Sequence, residues 1–440
     1  MFDINKKSKE FIFLFIPGLV IVIFSSISFL VTGFFDREID AVISKTIDYF
    51  PVKIWASFME EFGIYNMMCF VFILLGVIWE TIFFYQKKFG KKQFIKNNQW
   101  MVYIYYALGF IIWVASMAIA VKAGFSRDFG YGPGNDPYTF ISQKYRTYST
   151  IFIKILELGV MIVGFVVLRF KFAKREDILL NEYWTDALKG CVWIVFMYIV
   201  VVLGKMSFGR PYPYTVDFEN SLRRAHESGW TYTPETGYFG TGPDGTSNVD
   251  YLPWWIPNDF FKNFKNWFVF NAFEKDNNGW WNRDFPSGHT AATSSMVSIM
   301  FLFINPNKKR KLTWYKLAYI YFVFLIILPS MKFGLMAQRT HWASDLEFTT
   351  IFAIGFIPLA NYFVNRHVRC WKNKFNAKHH NKTKGYIIEQ KIGFVLYVQT
   401  PNYDNRVCLF YNGKNKAKKI EKIIKKYNID LVRKEIINSI

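Results

Sequence analysis

The chain has 440 residues, 52% of them hydrophobic and 20% aromatic, with 48 Phe, 15 Trp and a formal net charge of +21. So apolar a composition excludes an ordinary soluble domain, and four cysteines without a framework exclude a disulfide-stapled secreted one. The positive charge suits anionic lipid headgroups. No basic region carries a recognisable nucleic-acid-binding fold, so no nucleic-acid partner is expected.

In chain order, a short basic head (Lys6, Lys7, Lys9) precedes an apolar run over 11–35. The run is longer than a signal-peptide core and has no obvious small-residue cleavage site, so it reads as a retained anchor. Further apolar runs follow at 67–85, 101–121, 149–170, 187–208, 288–305, 314–334 and 343–364. Runs of about 18 or more residues cross a bilayer as helices, which satisfy their own backbone hydrogen bonds. The expectation is an all-α polytopic membrane protein of about eight transmembrane helices, with membrane lipids as its surroundings. Within the first four spans, Lys154 and Glu157 are three apart and are expected to pair on one helix face. Glu80, near an inner end, is expected to be neutral or to meet Lys87 and Lys88.

Charge sets the expected orientation. The connection 86–99 carries five Lys and no acid, 306–313 carries Lys308, Lys309, Arg310 and Lys311, and 365–384 carries seven Lys/Arg and no acid. By the positive-inside rule these lie in the cytoplasm, together with both termini. The connections 35–66 and 209–285 are net acidic and fall outside; 122–148 and 171–186 fit this scheme imperfectly. Three parts are expected: N-terminal helices (1–186), a core (187–364) with a long outer loop (209–285), and a basic cytoplasmic tail (365–440). The loop is rich in Trp, Tyr, Pro and Gly, as in Tyr251-Leu252-Pro253-Trp254-Trp255 and Trp280-Trp281. It reads either as a lid at the headgroup level or as an aromatic belt. In the tail, 386–400 alternates like a strand, 406–411 reads as a second strand and 414–437 has helical periodicity. A small α+β appendage follows.

The chemistry gathers in the last four spans. Pro286-Ser287-Gly288-His289 opens the run 288–305, where a small-residue turn would aim N–H groups at an anion beside a titratable imidazole. His341 and Asp345 are four apart, so on a helix the carboxylate can orient the imidazole. Lys205 and Arg210 end the 187–208 run at the same expected face. Cations at such a place are commonly interface anchors. Here they converge with two histidines, a carboxylate and a helix start.

Those residues resemble the type 2 phosphatidic-acid phosphatase family, relatives of the vanadium haloperoxidases. Its pattern reads Lys-x6-Arg-Pro, Pro-Ser-Gly-His and Arg-x5-His-x3-Asp. The second part is complete as Pro286 to His289, and His341-x3-Asp345 is kept from the third. In the first part Lys205 and Gly209-Arg210-Pro211 are present, but Tyr212, before Pro213, stands at the arginine position. Leu335 stands at the arginine position of the third part. Arg339, four residues on, either supplies that guanidinium from a shifted place or anchors the chain at the interface.

The resemblance implies that His341 attacks phosphorus to form a phosphohistidine while Asp345 holds its ring. It implies that His289 protonates the leaving alcohol and then activates water. It assigns Lys205, Arg210, the N–H groups of Ser287 and Gly288, and Arg339 to the phosphate oxygens. No metal or other cofactor is implied, and no outer-face carboxylate cluster is legible that would hold Mg²⁺. The expected partner is a lipid phosphate or diphosphate, with phosphotransfer to a lipid headgroup or hydrolysis of a soluble ester as variants. A non-catalytic lipid-phosphate binder or scaffold is the competing reading. Oligomeric state is not legible.

Overall fold

A computed structural model describes residues 11–89, 93–126, 143–175, 178, 181–217, 250–256, 284–303, 313–379, 383–390, 393–400, 403–409, 421, 425 and 429–436. The helices are α1 (Ile16–Ile43), α2 (Phe50–Tyr65), α3 (Met67–Phe89), α4 (Gln93–Asn97), α5 (Val102–Ser126), α6 (Gln143–Val166), α7 (Tyr183–Phe208) and α8 (Pro213–Val216). After the long connection come α9 (Gly288–Ser294), α10 (Met300–Phe303), α11 (Trp314–Phe322), α12 (Leu328–Ala337) and α13 (Ala343–His379).

Among the described residues, seven helices are long and apolar enough to cross a membrane. The expected span at 288–305 is not one of them. Its described part, 288–303, is helical throughout, with a 3₁₀ turn over Ser295–Ile299 between α9 and α10, and 304–312 lie outside the described residues. It buries the hydroxyls of Thr290, Thr293, Ser294, Ser295 and Ser298 inside the protein rather than facing lipid. Hydroxyl-bearing residues of this kind serve contact between helices.

The first two spans are longer than the sequence suggests. Ile12–Asp48 has 37 residues, interrupted by a kink at Phe35 (φ −118°, ψ 21°). At 1.5 Å per residue that length is about 55 Å, against about 30 Å of hydrocarbon. The polar segment with Asp36 and Asp40 therefore continues the helix past the apolar run. The second span, Phe50–Lys87, is broken at Asn66 into α2 and α3. The Asn66 amide donates to Thr293 Oγ1 of α9 at 3.2 Å. Along its length α2 packs against α6, α9 and α12.

One compact unit consists of residues 1–175 and 186–360. The N-terminal helices and the expected core up to residue 360 thus fall in one unit. A second unit joins 176–185 with 361–440. It carries a four-stranded sheet of order β3-β2-β1-β4, with β1 (Thr383–Gln390), β2 (Gly393–Thr400), β3 (Tyr403–Leu409) and β4 (Ile429–Ile436). The first three strands pair antiparallel in sequence, and β4 returns parallel to β1. The run 386–400 is therefore split between two strands. The helical reading of 414–437 is also corrected, since Ile429–Ile436 pairs as a strand. Between β3 and β4 only Glu421 and Lys425 are described, both helical.

Two buried ionic contacts brace the transmembrane helices. Lys154 pairs with Glu157 at 2.8 Å, as expected from their spacing, and its ammonium also donates to Ser116 Oγ at 2.7 Å. Glu80 meets Arg169 of the π-helical turn after α6 at 3.1 Å and accepts from the Tyr106 hydroxyl. The described Glu80 bonds thus go to Tyr106 and to Arg169, 89 positions away, while the side chain of Lys88 lies outside the described residues. Breaking one side of such a pair leaves a buried charge uncompensated. Arg169→Ala should lower the melting temperature in detergent by several degrees. The double change Glu80→Gln with Arg169→Met should recover part of that loss, which differential scanning fluorimetry can read.

Candidate active site

Local chain geometry brings the histidines together. Gly209 turns the chain at the end of α7 with φ 57°, a conformation that favours glycine. The turn delivers Arg210 into the protein and Pro211 beneath Trp342, whose indole donates to the Pro211 carbonyl at 2.8 Å. The Arg210 carbonyl in turn accepts the Asp284 N–H at 3.0 Å. Three residues on, Ser287 caps α9 by accepting the Thr290 N–H at 3.3 Å. His289 follows in the first turn. Gly63 of α2 lies directly against it: a Cβ there would sit 2.9 Å from His289 Cβ, closer than side chains tolerate.

The central contact is His289 Nδ1 to His341 Nε2, at 3.2 Å, with the rings edge to face. His341 Nδ1 points the other way, at carboxylates. It contacts Asp284 Oδ1 directly and lies 3.8 Å from Asp345 Oδ2. Asp284, which the sequence reading missed, is therefore the nearer partner. The Trp342 amide bridges the two carboxylates, 3.3 Å from Asp284 Oδ2 and 3.2 Å from Asp345 Oδ2. His341, Asp284 and Asp345 are all buried, whereas His289, Gly288, Lys205 and Tyr212 are half-buried and form the open side. Burial pushes the His341 imidazole down to about 4. Its reactive ring is thus neutral, with a lone pair, at physiological pH. Burial, and then the Asp345 charge, push the Asp284 carboxyl well up.

The expected phosphate cations divide sharply. Lys205 lies at the open side, donating to the Asp284 carbonyl at 3.3 Å and lying 5.7 Å from the Tyr212 ring centre. The Tyr212 ring is in turn 5.9 Å from that of His341. Arg210 is different. Its Nε donates to the Leu252 carbonyl at 3.1 Å. Nη1 donates to Ser344 Oγ at 2.7 Å and Asp345 Oδ1 at 2.6 Å, and Nη2 to Asp36 Oδ2 at 2.8 Å and the Tyr251 hydroxyl at 3.2 Å. A guanidinium has five N–H donors, and all five are engaged. Burial opposes the Arg210 charge, but Asp345 and Asp36 outweigh it and hold its pKa above the usual arginine range. Where a phosphate ligand was expected, Arg210 is engaged by Asp36, Asp345, Ser344, Tyr251 and the Leu252 carbonyl.

Arg339 has a similar fate. It sits in the turn between α12 and α13 at φ 62°. Its guanidinium pairs with Asp40 of α1, the Nε to Oδ2 contact being 2.9 Å, and with Asp217 just after α8. Leu335, at the family's arginine position, is fully buried against Met59, Leu328, Met331 and Leu346. The Ser287 N–H is also committed, donating to Thr349 Oγ1 at 3.1 Å. Of the two expected backbone donors, Gly288 alone keeps the open side.

The aromatic segment of the long connection covers Arg210. Tyr251 bonds it, while Trp254 packs on Phe29 of α1 and stacks with Phe285. Trp255 meets Phe34 and remains 44% exposed, as an interface anchor would. Trp280-Trp281 lies outside the described residues.

Among the described residues, one group of His and carboxylate side chains could hold a metal ion: Asp284, His341 and Asp345. The sequence reading saw no such cluster, since Asp284 is remote from the other two in the chain. Competition for it is heavy. Arg210 takes Asp345 Oδ1, and the Trp342 amide takes Oδ2 of both carboxylates.

Three outcomes follow from this geometry. The acid limb of kcat/KM should fall near pH 4 rather than near the ordinary histidine value, because His341 loses its lone pair only when protonated. Arg339→Ala should act mainly on stability, leaving Asp40 buried and unpaired, and Arg339→Ala with Asp40→Asn should recover part of the melting temperature. Leu335→Arg should not restore function, because it would place an unpaired cation in an apolar core.

A protein of Mycoplasma capricolum subsp. capricolum, described as uncharacterized, is 28% identical over 375 residues, or 82% of this chain and 94% of the relative. No solved structure matches the chain. The segment from α7 to α13 that holds Lys205, both histidines and both carboxylates is similar to a known family: residues 186–369 match the model of the PAP2 superfamily.

Proposed function

We propose that the protein is a membrane phosphatase that hydrolyses a lipid phosphate or diphosphate through a phosphohistidine on His341. The superfamily match implies phosphoesterase chemistry in general. The observation that carries the finer reading is the histidine pair, His289 Nδ1 to His341 Nε2 at 3.2 Å, with a carboxylate behind the second ring. Asp284 holds the Nδ1 proton of His341, which leaves Nε2 as the nucleophile. A phosphoryl group entering from the open side displaces the contact with His289. Nε2 bonds to phosphorus as the P–O bond to the lipid alcohol breaks, and His289 supplies that oxygen with its proton. His289 then takes a proton from water as the water oxygen displaces Nε2 and frees phosphate.

Lys205 and the Gly288 N–H stabilise the equatorial oxygens, the main demand of phosphoryl transfer. The half-buried Tyr212 lines the same mouth. Turnover needs no divalent cation in this reading, in which Arg210 and the Trp342 amide hold the two oxygens of Asp345. The excess of basic residues in 86–99, 306–313 and 365–384 supports a cytoplasmic location for those segments and an active site on the outer face of the cell membrane.

A second reading, a non-catalytic lipid-phosphate binder, is favoured by one specific observation. Tyr212 and Leu335 replace two family arginines, and Arg210 and Arg339 are held by aspartates. Phosphate release from a short-chain phosphatidate by purified protein in detergent separates the two. The expected result is turnover that survives EDTA, with a loss on the order of a thousandfold or more in His341→Ala. Binding without release in the wild type would establish the second reading. Loss on chelation, restored by Mg²⁺, would overturn the metal-free route.

A further inference from the structure

Asp36 lies in the first transmembrane helix, 150 positions before the start of the superfamily segment at residue 186. Its side chain is nevertheless fully buried at the site, where it makes three kinds of contact. Oδ2 accepts Arg210 Nη2 at 2.8 Å, Oδ1 accepts the Ser344 N–H at 3.1 Å, and the Ser344 hydroxyl donates to Oδ2. Ser344 is the second residue of α13, whose first amides have no partner within the helix. Asp36 therefore caps α13 from another helix, and its charge faces the positive end of that helix. The residue after Ser344 is Asp345, and His341 stands two residues before the helix begins.

Arg210 closes the frame. It bridges Asp36 to Asp345 with its side chain, and its carbonyl holds the Asp284 amide. Both carboxylates behind His341 are thus set by Arg210, and Arg210 is set by Asp36. We propose that Asp36 is a positioning residue for the histidine pair, acting through Arg210, which is a strut rather than a phosphate ligand. The functional site then extends beyond the superfamily segment into the first helix. This rests on the phosphatase reading only for its kinetic consequence; the positioning itself is a statement about the His341 ring.

The test uses Asp36→Asn in the full-length protein, with two measurements. The first is kcat and KM on a short-chain phosphatidate. The second is the ¹⁵N spectrum of histidine-labelled protein in detergent, with the His341 ring assigned by its loss in His341→Gln. The wild-type ring should show a single tautomer with the proton on Nδ1. Asp36→Asn should lower kcat on the order of 10- to 100-fold with KM within about threefold, as expected when transition-state geometry rather than binding is lost. It should also mix the two ring tautomers, although Asp36 does not touch the ring. Unchanged kcat and an unchanged His341 spectrum would overturn the proposal. A rise in KM alone would also overturn it, returning Arg210 to phosphate binding. If the wild type releases no phosphate, the phosphatase reading fails and the ring spectrum still decides the positioning. If Asp36→Asn does not fold, Asp36→Glu keeps the charge, displaces the carboxylate by one methylene and is read in the same two ways.

Discussion

The fold of the site depends on a buried ion triad, Asp36–Arg210–Asp345, whose three side chains have no measurable exposure. Taking a guanidinium and two carboxylates out of water costs several kcal/mol per ion, and attraction offsets that cost only when geometry is good and every donor is used. Here each of the five guanidinium N–H groups has an acceptor. The arrangement joins three distant parts of the chain: the first helix, the turn after α7 and the start of α13. A second pairing one helical turn along, Asp40 with Arg339, repeats the device. Two acidic residues four apart on one helix face thus fasten α1 to both ends of the superfamily segment's chemistry.

With Arg210 and Arg339 paired to aspartates, the charge at the open side is small for a phosphate site among the described residues. Lys205 supplies it beside Tyr212, while the carboxylates lie behind His341. The proposed catalysis therefore leans on the neutral nucleophile and on proton handling between two imidazoles more than on a ring of cations. Burial serves that end directly, since a dry His341 stays unprotonated.

What was legible in the sequence was local. Pro286 to His289 and His341-x3-Asp345 are short patterns, and the apolar runs announce spans by length alone. What was not legible depended on long-range packing. Asp284 stands only two residues before Pro286, but nothing local says that its carboxylate reaches His341, 57 positions later. Asp36 and Asp40 were counted as part of an acidic outer connection. The available signal was their spacing at the end of an apolar run, where buried acids are costly and usually paired. Arg339 read as either a relocated phosphate ligand or an interface anchor; its partners on α1 and after α8 were invisible. The single run at 386–400 concealed a hairpin, in which Tyr386 pairs with Tyr397 and Ile388 with Val395.

The most direct measurement is a structure of the detergent-solubilised protein with orthovanadate bound, by electron cryomicroscopy at a resolution that shows side chains. The account predicts vanadium attached to His341 Nε2, oxygens facing His289, Gly288 and Lys205, and Arg210 still bonded to Asp36 and Asp345. Arg210 turned away from Asp36 and onto the vanadate oxygens would contradict it.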